Sequence, residues 1–296
     1  MPLQGFVSSS EIAGLFGVSP YTSRYLAWAF HKHGVKHDGG NERTRWGKLL
    51  QDDIIQATAE DLNLDVEPNA GDVFLRHIDE TVKAGATVDC WIRRHAGGLG
   101  IIEAKNVDRM QWFENWDDHT APIDIELQVQ HQLWVTGAAW AVIACLVGGN
   151  DLKIYKRERN EKVIAEIAAT VAEFWALVTS DAKPDPAGFE AEKAIIGELY
   201  GIPTPFVTLN LFDDEKLINM IAMLDDASDK RKFYASTEEA CKIKLLALAE
   251  KADRIRTNGW SVGVSRFRNA HKTLTQKITV KKIDNDPAPN FSVEFG

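Results

Sequence analysis

The period of the apolar positions changes several times along this chain, and each change predicts an element. Ile12, Leu15 and Phe16 follow Ser8-Ser9-Ser10-Glu11 at helical spacing, with N-cap choices in the serines. Gly17-Val18-Ser19-Pro20 breaks the pattern, and Pro20 near a first turn predicts a new helix carrying Tyr21, Tyr25, Leu26 and Trp28. Residues 37–41 read as a polar, glycine-bearing loop. A longer helix is predicted over 45–62, with Leu50, Ile54 and Ala57 on one stripe. Short strand signals follow at 73–78, 86–94 and 99–105, and Gly97-Gly98 between the last two predicts a hairpin. The polar, Trp-rich stretch 111–121 reads as a loop or broken helix.

Ile125, Val129 and Leu133 predict a helix over 124–136, stopped by Gly137. Residues 140–147 and 152–157 read as a hairpin around Gly148-Gly149-Asn150, and 163–178 as a helix through Ile164, Ile167, Val171, Phe174 and Trp175. Together these elements predict an α/β core over residues 1–180, with a central mixed sheet flanked by helices. The Pro-bearing segment 180–186 is the strongest boundary signal. An α+β extension is expected over 187–296. It has helices at 213–224 and 236–256, the second opened by a capping box at Ser236 and Glu239 and closed by Asn258-Gly259. Short strands are expected at 260–267 and 278–283, with Trp260 and Phe267 in a small core or, alternatively, open to stack on a flat ligand such as a base.

Charge sharpens this division. The chain has a formal net charge of −9, but residues 251–282 hold nine Lys or Arg against Asp253 alone, a net of +8 that leaves −17 on the rest. A basic tail on an acidic body binds phosphate locally while the body stays soluble. Cys90, Cys145 and Cys241 contain no CxxC pair, which argues against a disulfide framework or a zinc site. No apolar run is long enough to span a bilayer, and Met1-Pro2-Leu3-Gln4-Gly5 lacks a signal-peptide pattern, so a cytoplasmic protein is expected.

The candidate chemistry lies at Asp89, Glu103-Ala104-Lys105 and Gln128. Asp89 lies within one strand-like run, and Glu103 and Lys105 end the next, thirteen residues separating Asp89 from Glu103. Alternation puts Glu103 and Lys105 on one face of a strand. Two carboxylates and the Ala104 carbonyl suit a hard divalent cation such as Mg²⁺. Such an ion polarises a phosphoryl oxygen and supplies hydroxide, which points to phosphodiester hydrolysis. Lys105 and the Gln128 amide are placed to orient the attacking water.

Over roughly residues 5–178 the chain resembles the lambda exonuclease family, the YqaJ-type viral recombinase nucleases of the PD-(D/E)xK superfamily. The matching stretches are Gly5 to Ile12, Gly17-Val18-Ser19-Pro20-Tyr21, Trp46-Gly47-Lys48, Thr87-Val88-Asp89, Glu103-Ala104-Lys105 and, most specific, the run from Gln128 to Gly137. The resemblance implies a Mg²⁺-dependent 5′-to-3′ exonuclease on double-stranded DNA ends, with Mn²⁺ as a substitute. It also implies a homotrimeric ring, a phage or prophage origin and a single-strand annealing protein as partner. It further makes Asp89 and Glu103 metal ligands with Ala104, Lys105 the water activator and Gln128 its helper, while Ser10 and Thr87 contact the terminal 5′-phosphate. Two positions depart from the pattern. Gln51 stands where the family has a glutamate; an amide is the weaker ligand for a hard cation, so Gln51 is a candidate catalytic residue that would serve through a bridging water. The arginine expected just before Gly5 is absent, which leaves either Arg24, Arg43 or Arg45 to grip the phosphate or a weaker phosphate pocket. The alternatives are an endonuclease of the same fold and a DNA-binding or assembly module that has lost catalysis.

Overall fold

The computed structural model describes residues 3–35, 42–68, 73–79, 81–202, 208, 211, 214–257, 260–268 and 274–282. The loop expected at 37–41, the Asn258-Gly259 stop and Ile283 lie outside them. The chain divides into two units, 1–205 and 206–296.

The first unit is built on a five-stranded sheet of order β2-β5-β6-β7-β8: β2 (Val66–Pro68), β5 (Cys90–Ile92), β6 (Gly100–Val107), β7 (Trp140–Val147) and β8 (Asp151–Glu158). Only β6 and β7 run parallel. That crossover needs a helical connection, which α4 (Arg109–Asn115) and α5 (Ile123–Thr136) supply. Helix α5 ends at Gly137, whose φ of 71° suits a residue without Cβ.

Alternation along the strands then sorts the faces. Ile102, Val142 and Ala144 pack with Ile54 and Ile55 of α3 (Glu42–Leu62), while Ile101, Ile143 and Cys145 pack with Val129 and Leu133 of α5. The buried stripe of α3 is Ile54, Ile55, Thr58 and Ala59, whereas Ala57, expected inside, is exposed.

A smaller sheet carries β1 (Val7–Ser8), β4 (Ala84–Ala86) and β3 (Leu75–Arg76) in the order β1-β4-β3. Its strands are two or three residues long, too short for a periodic signal. The first helices are α1 (Ile12–Leu15) and α2 (Arg24–His33). Ser23 caps α2, so Tyr21 lies outside the helix and is 71% exposed. Helix α6 (Glu161–Thr179) buries Ile164, Ile167, Val171, Phe174 and Val178, the stripe expected of it with Val178 for Trp175.

The units do not part at 180–186. Helix α7 (Glu190–Tyr200) belongs to the first unit and puts Ile195 into the core with Phe174. Its Glu192 is buried and accepts from the Ser23 hydroxyl (2.6 Å) and from the amides of Ala187, Gly188 and Phe189. Burial alone would raise this carboxyl, but these four donors hold it below the usual range. The Pro-bearing segment is thus a connector inside the unit, because the helix beyond it is anchored by a buried charge.

In the second unit the two expected helices are one, α8 (Glu215–Ala249). Ser236 lies inside it, its hydroxyl bonded to the Phe233 carbonyl rather than capping a new start. The strands β9 (Arg254–Thr257), β10 (Trp260–Arg268) and β11 (Leu274–Lys282) form an antiparallel sheet of order β11-β10-β9. Val262 and Val264 are buried, but Trp260 and Phe267, expected in the core, are 46% and 50% exposed. The step of seven positions between them is odd, which puts them on opposite faces of β10.

Candidate active site

Strand β5 pairs with β6 only from Gly100 to Ile102, so beyond Ile102 the β6 edge opens. Asp89, just before β5, fills the gap: its Oδ2 accepts the Ala104 N–H at 2.8 Å. A strand residue presents its N–H and C=O to the same edge, which puts the Ala104 carbonyl on the side Asp89 occupies. Alternation turns Glu103 and Lys105 toward α5. There the Lys105 ammonium donates to Glu103 Oε1 (2.6 Å) and to Gln128 Oε1 (3.0 Å). Gln128 Nε2 donates in turn to Glu103 Oε1 at 2.6 Å. The sequence-derived residues Asp89, Glu103, Ala104, Lys105 and Gln128 therefore meet at one place.

A further residue belongs to this group. Gln132, fully buried one turn beyond Gln128, donates to Glu103 Oε2 (2.5 Å) and to the Thr87 carbonyl (3.1 Å). Its Oε1 is buried with no partner among the described residues. The spacing i, i+4 from Gln128 is the sequence signal that marks it.

Glu103 is 4% exposed, and its charge is met by one ammonium and two amides. Burial alone would push Lys105 down, but Glu103 beside it, with Asp89 further off, holds it above an ordinary lysine. In this arrangement Lys105 is an ammonium donor to Glu103 and Gln128.

The donors available to a cation are two carboxylates and a backbone carbonyl, all oxygen, which fits a hard divalent ion. Among the described residues no three His, Cys, Asp or Glu side chains converge on one point. Gln51 stands on α3, one turn before Ile54 and Ile55, on the sheet face opposite Glu103 and Lys105. Among the described residues no hydrogen bond links it to Asp89, Glu103 or Lys105.

Ser10 and Thr87 are brought to one end of the small sheet. β1 and β4 are parallel with Ser8 opposite Gly85, and each candidate lies two residues further on. The Ser8 hydroxyl donates to Glu11 Oε2 (2.7 Å), so its 3.1 Å contact with Ser10 Oγ is donated by Ser10. Exposed Ser10 must turn outward to donate to a phosphate. Glu11 is held in turn by the Ser8 amide (2.9 Å) and His31 Nε2 (3.0 Å), and His31 Nδ1 accepts the Gly5 N–H (3.2 Å).

Arg24, Arg43 and Arg45 each face a carboxylate: Glu173 at 3.8 Å, Asp108 at 2.8 Å and Glu42 at 3.2 Å. Arg76 is placed differently. It pairs with Gly85, which pairs with Ser8, so all three share one row of the sheet. Its guanidinium lies 4.6 Å from the Phe6 ring. A two-residue strand gives no sequence signal for that position.

Residues 3–139 match the model of the YqaJ-like viral recombinase domain. A curated relative, the uncharacterized protein YqaJ of Bacillus subtilis (strain 168), is 26% identical over 172 residues, or 57% of this chain. The chain spans about half of that relative's length, 52%. Similar solved structures include an alkaline exonuclease, LHK-Exo, from Laribacter hongkongensis (17% identity, TM-score 0.47, 59% of this chain and 88% of that one). Another is a phage-related exonuclease from Haemophilus somnus 129PT (13% identity, TM-score 0.45, 60% and 94%).

Proposed function

We propose that this chain is a Mg²⁺-dependent nuclease that digests linear double-stranded DNA from 5′ to 3′ by phosphodiester hydrolysis. The observation that carries the reading is the meeting of Asp89, Glu103, Lys105 and Gln128 at the opened edge of β6. The match of residues 3–139 to the viral recombinase domain supports it. Asp89, Glu103 and the Ala104 carbonyl would hold the cation. When bound, such an ion polarises the phosphoryl oxygen and lowers the pKa of a coordinated water.

The chain's own residues do the rest. Lys105, kept as an ammonium, stabilises the charge that builds on the phosphoryl group. Gln128 fixes the Lys105 and Glu103 geometry through both atoms of its amide. Gln132 holds the far carboxylate oxygen and ties it to the backbone before Asp89. Ser10, Thr87 and Arg76 receive the terminal phosphate, Arg76 taking the place of the arginine missing before Gly5. A homotrimeric ring, a phage or prophage origin, a cytoplasmic site of action and a single-strand annealing partner complete the proposal. No helix among the described residues is long and apolar enough to cross a membrane.

Digestion of end-labelled linear duplex and of covalently closed circles, with and without Mg²⁺, tests the reading. We expect the linear substrate alone to be degraded, only with the metal, and the 5′ label to be released first. Asp89→Ala and Lys105→Ala should each reduce the rate by at least about a hundredfold, the scale of a lost electrostatic stabiliser, with the melting temperature close to wild type. Cutting of closed circles would establish the endonuclease alternative. The position of Gln51 favours a second reading, a DNA-binding or assembly module. DNA binding without any Mg²⁺-dependent digestion would establish it.

A further inference from the structure

The second unit lies beyond the matched domain, and its sheet has a sorted surface. Its described strands contain seven Lys or Arg and no Asp or Glu. Register and alternation divide them between two faces. One face carries buried Val262 and Val264 and half-buried Ile255 and Ile278, and its Arg266 donates to the Leu246 carbonyl of α8. The other is exposed. On it Arg256, Ser261 and Lys281 form one cross-strand row, and Arg254, Gly263 and Thr279 the next. Ser265 with Lys277 and Phe267 with Thr275 continue it.

The cations thus stand on the outer strands, β9 and β11, while the central strand offers Ser261, Gly263 and Ser265. A Cβ at Gly263 would meet nothing nearer than the Thr279 carbonyl at 3.9 Å, so the floor between the cations is low. Two strand spacings set the trough at about 9–10 Å across. Phe267, half exposed, stands at one end.

We infer that this face binds single-stranded DNA, its backbone phosphates held by Arg254, Arg256, Lys277 and Lys281 and one base stacked on Phe267. The choice of DNA rests on the nuclease reading, and the choice of a single strand rests on the trough and the aromatic. Cations flanking a narrow floor track one backbone, and an exposed ring adds affinity only for a base that is not already stacked in a duplex. A 5′-to-3′ nuclease leaves a single strand behind, and this face would retain it.

The test is fluorescence anisotropy with the full-length chain in chelator, using a labelled thymidine homopolymer, the matching duplex, and vesicles of anionic phosphatidylserine. Arg256→Ala with Lys281→Ala should weaken single-strand binding about tenfold or more. It should also flatten the slope of log affinity against log salt by about 1.4, the value for two lost phosphate contacts. Phe267→Ala should weaken it by about tenfold with the slope unchanged. Charge-preserving Arg256→Lys with Lys281→Arg should restore the slope. Should the double alanine variant lose its fold by circular dichroism, Arg254→Gln with Lys277→Gln provides the same reading.

Unchanged affinity and slope would overturn the proposal. So would an equal loss for duplex, or tighter binding to vesicles than to the homopolymer. Binding in chelator is independent of cutting, so failure here and failure of the nuclease assay are read separately.

Discussion

Glu103 shows how much a single carboxylate depends on its neighbours. It is buried, and Lys105, Gln128 and Gln132 all donate to it. Removing Gln132 leaves Glu103 Oε2 and the Thr87 carbonyl without a donor. Gln132→Met keeps the volume, and we expect it to reduce both Mn²⁺ affinity and turnover by about 10–100-fold, the usual penalty for a group that orients a ligand. Calorimetric Mn²⁺ titration beside the digestion rate checks this, and wild-type values for both would remove Gln132 from the site.

His131, between Gln130 and Gln132, makes a different residue-scale prediction. It is fully buried, with Nδ1 2.8 Å from Ser9 Oγ, and burial, assisted by His77, pushes it down to about 3. Its unfolded value is about 6.5, so between these limits the unfolded chain binds more protons than the folded one. The stability it permits is fully present above pH 6.5 and is lost as pH falls toward 3, by at most about 1.4 kcal/mol per pH unit. Melting temperatures from pH 7 to 4 should therefore fall less steeply in His131→Asn than in the wild type. Parallel curves would show that His131 does not set the slope.

The elements that position the site are legible in proportion to their length. Helix α5, the hairpin of β7 and β8, and helix α6 repeat their period several times, and their sequence patterns locate them. Strands β1, β3 and β4 do not, yet they bring Ser10, Thr87 and Arg76 to one place. Gly85 is what lets them meet: a Cβ there would lie 2.3 Å from the Phe74 ring and 2.7 Å from the Leu75 carbonyl. The carbonyl is backbone and cannot swing aside. Gly85→Ala should destabilise the first unit by about 1–3 kcal/mol, as overpacking does, and impair use of 5′-phosphorylated ends more than 5′-hydroxyl ends. A denaturant midpoint at the wild-type value would contradict the packing account. In the second unit the capping-box pattern at Ser236 has the opposite lesson: within a continuous helix its hydroxyl bonds back to Phe233, so a local motif yields to its context.

The whole molecule divides after Pro205, later than the proline-bearing segment suggests. A chain ending at 205 keeps Glu192 on Ser23 and Ile195 in the core; one ending at 180 loses both. We expect the longer fragment to melt cooperatively near the temperature of the first transition of the full chain. The shorter one should melt several degrees lower, since about 1 kcal/mol corresponds to roughly 2–4 °C at this size. Equal melting temperatures would show that α7 adds nothing.

The pattern of residues by itself determined the mixed α/β class, the helices and strands long enough to repeat their period, and the identity of the acid, Glu-x-Lys and glutamine group. It did so because periodicity and local spacing are properties of neighbours in the chain. Tertiary structure alone decided that Asp89 closes the open edge of β6, that Gln132 completes the cage around Glu103, that Arg76 joins Ser8 across three short strands, and that Trp260 and Phe267 face opposite ways. Each of these depends on strand register and on which face a side chain enters, and both are fixed only when distant segments pack together.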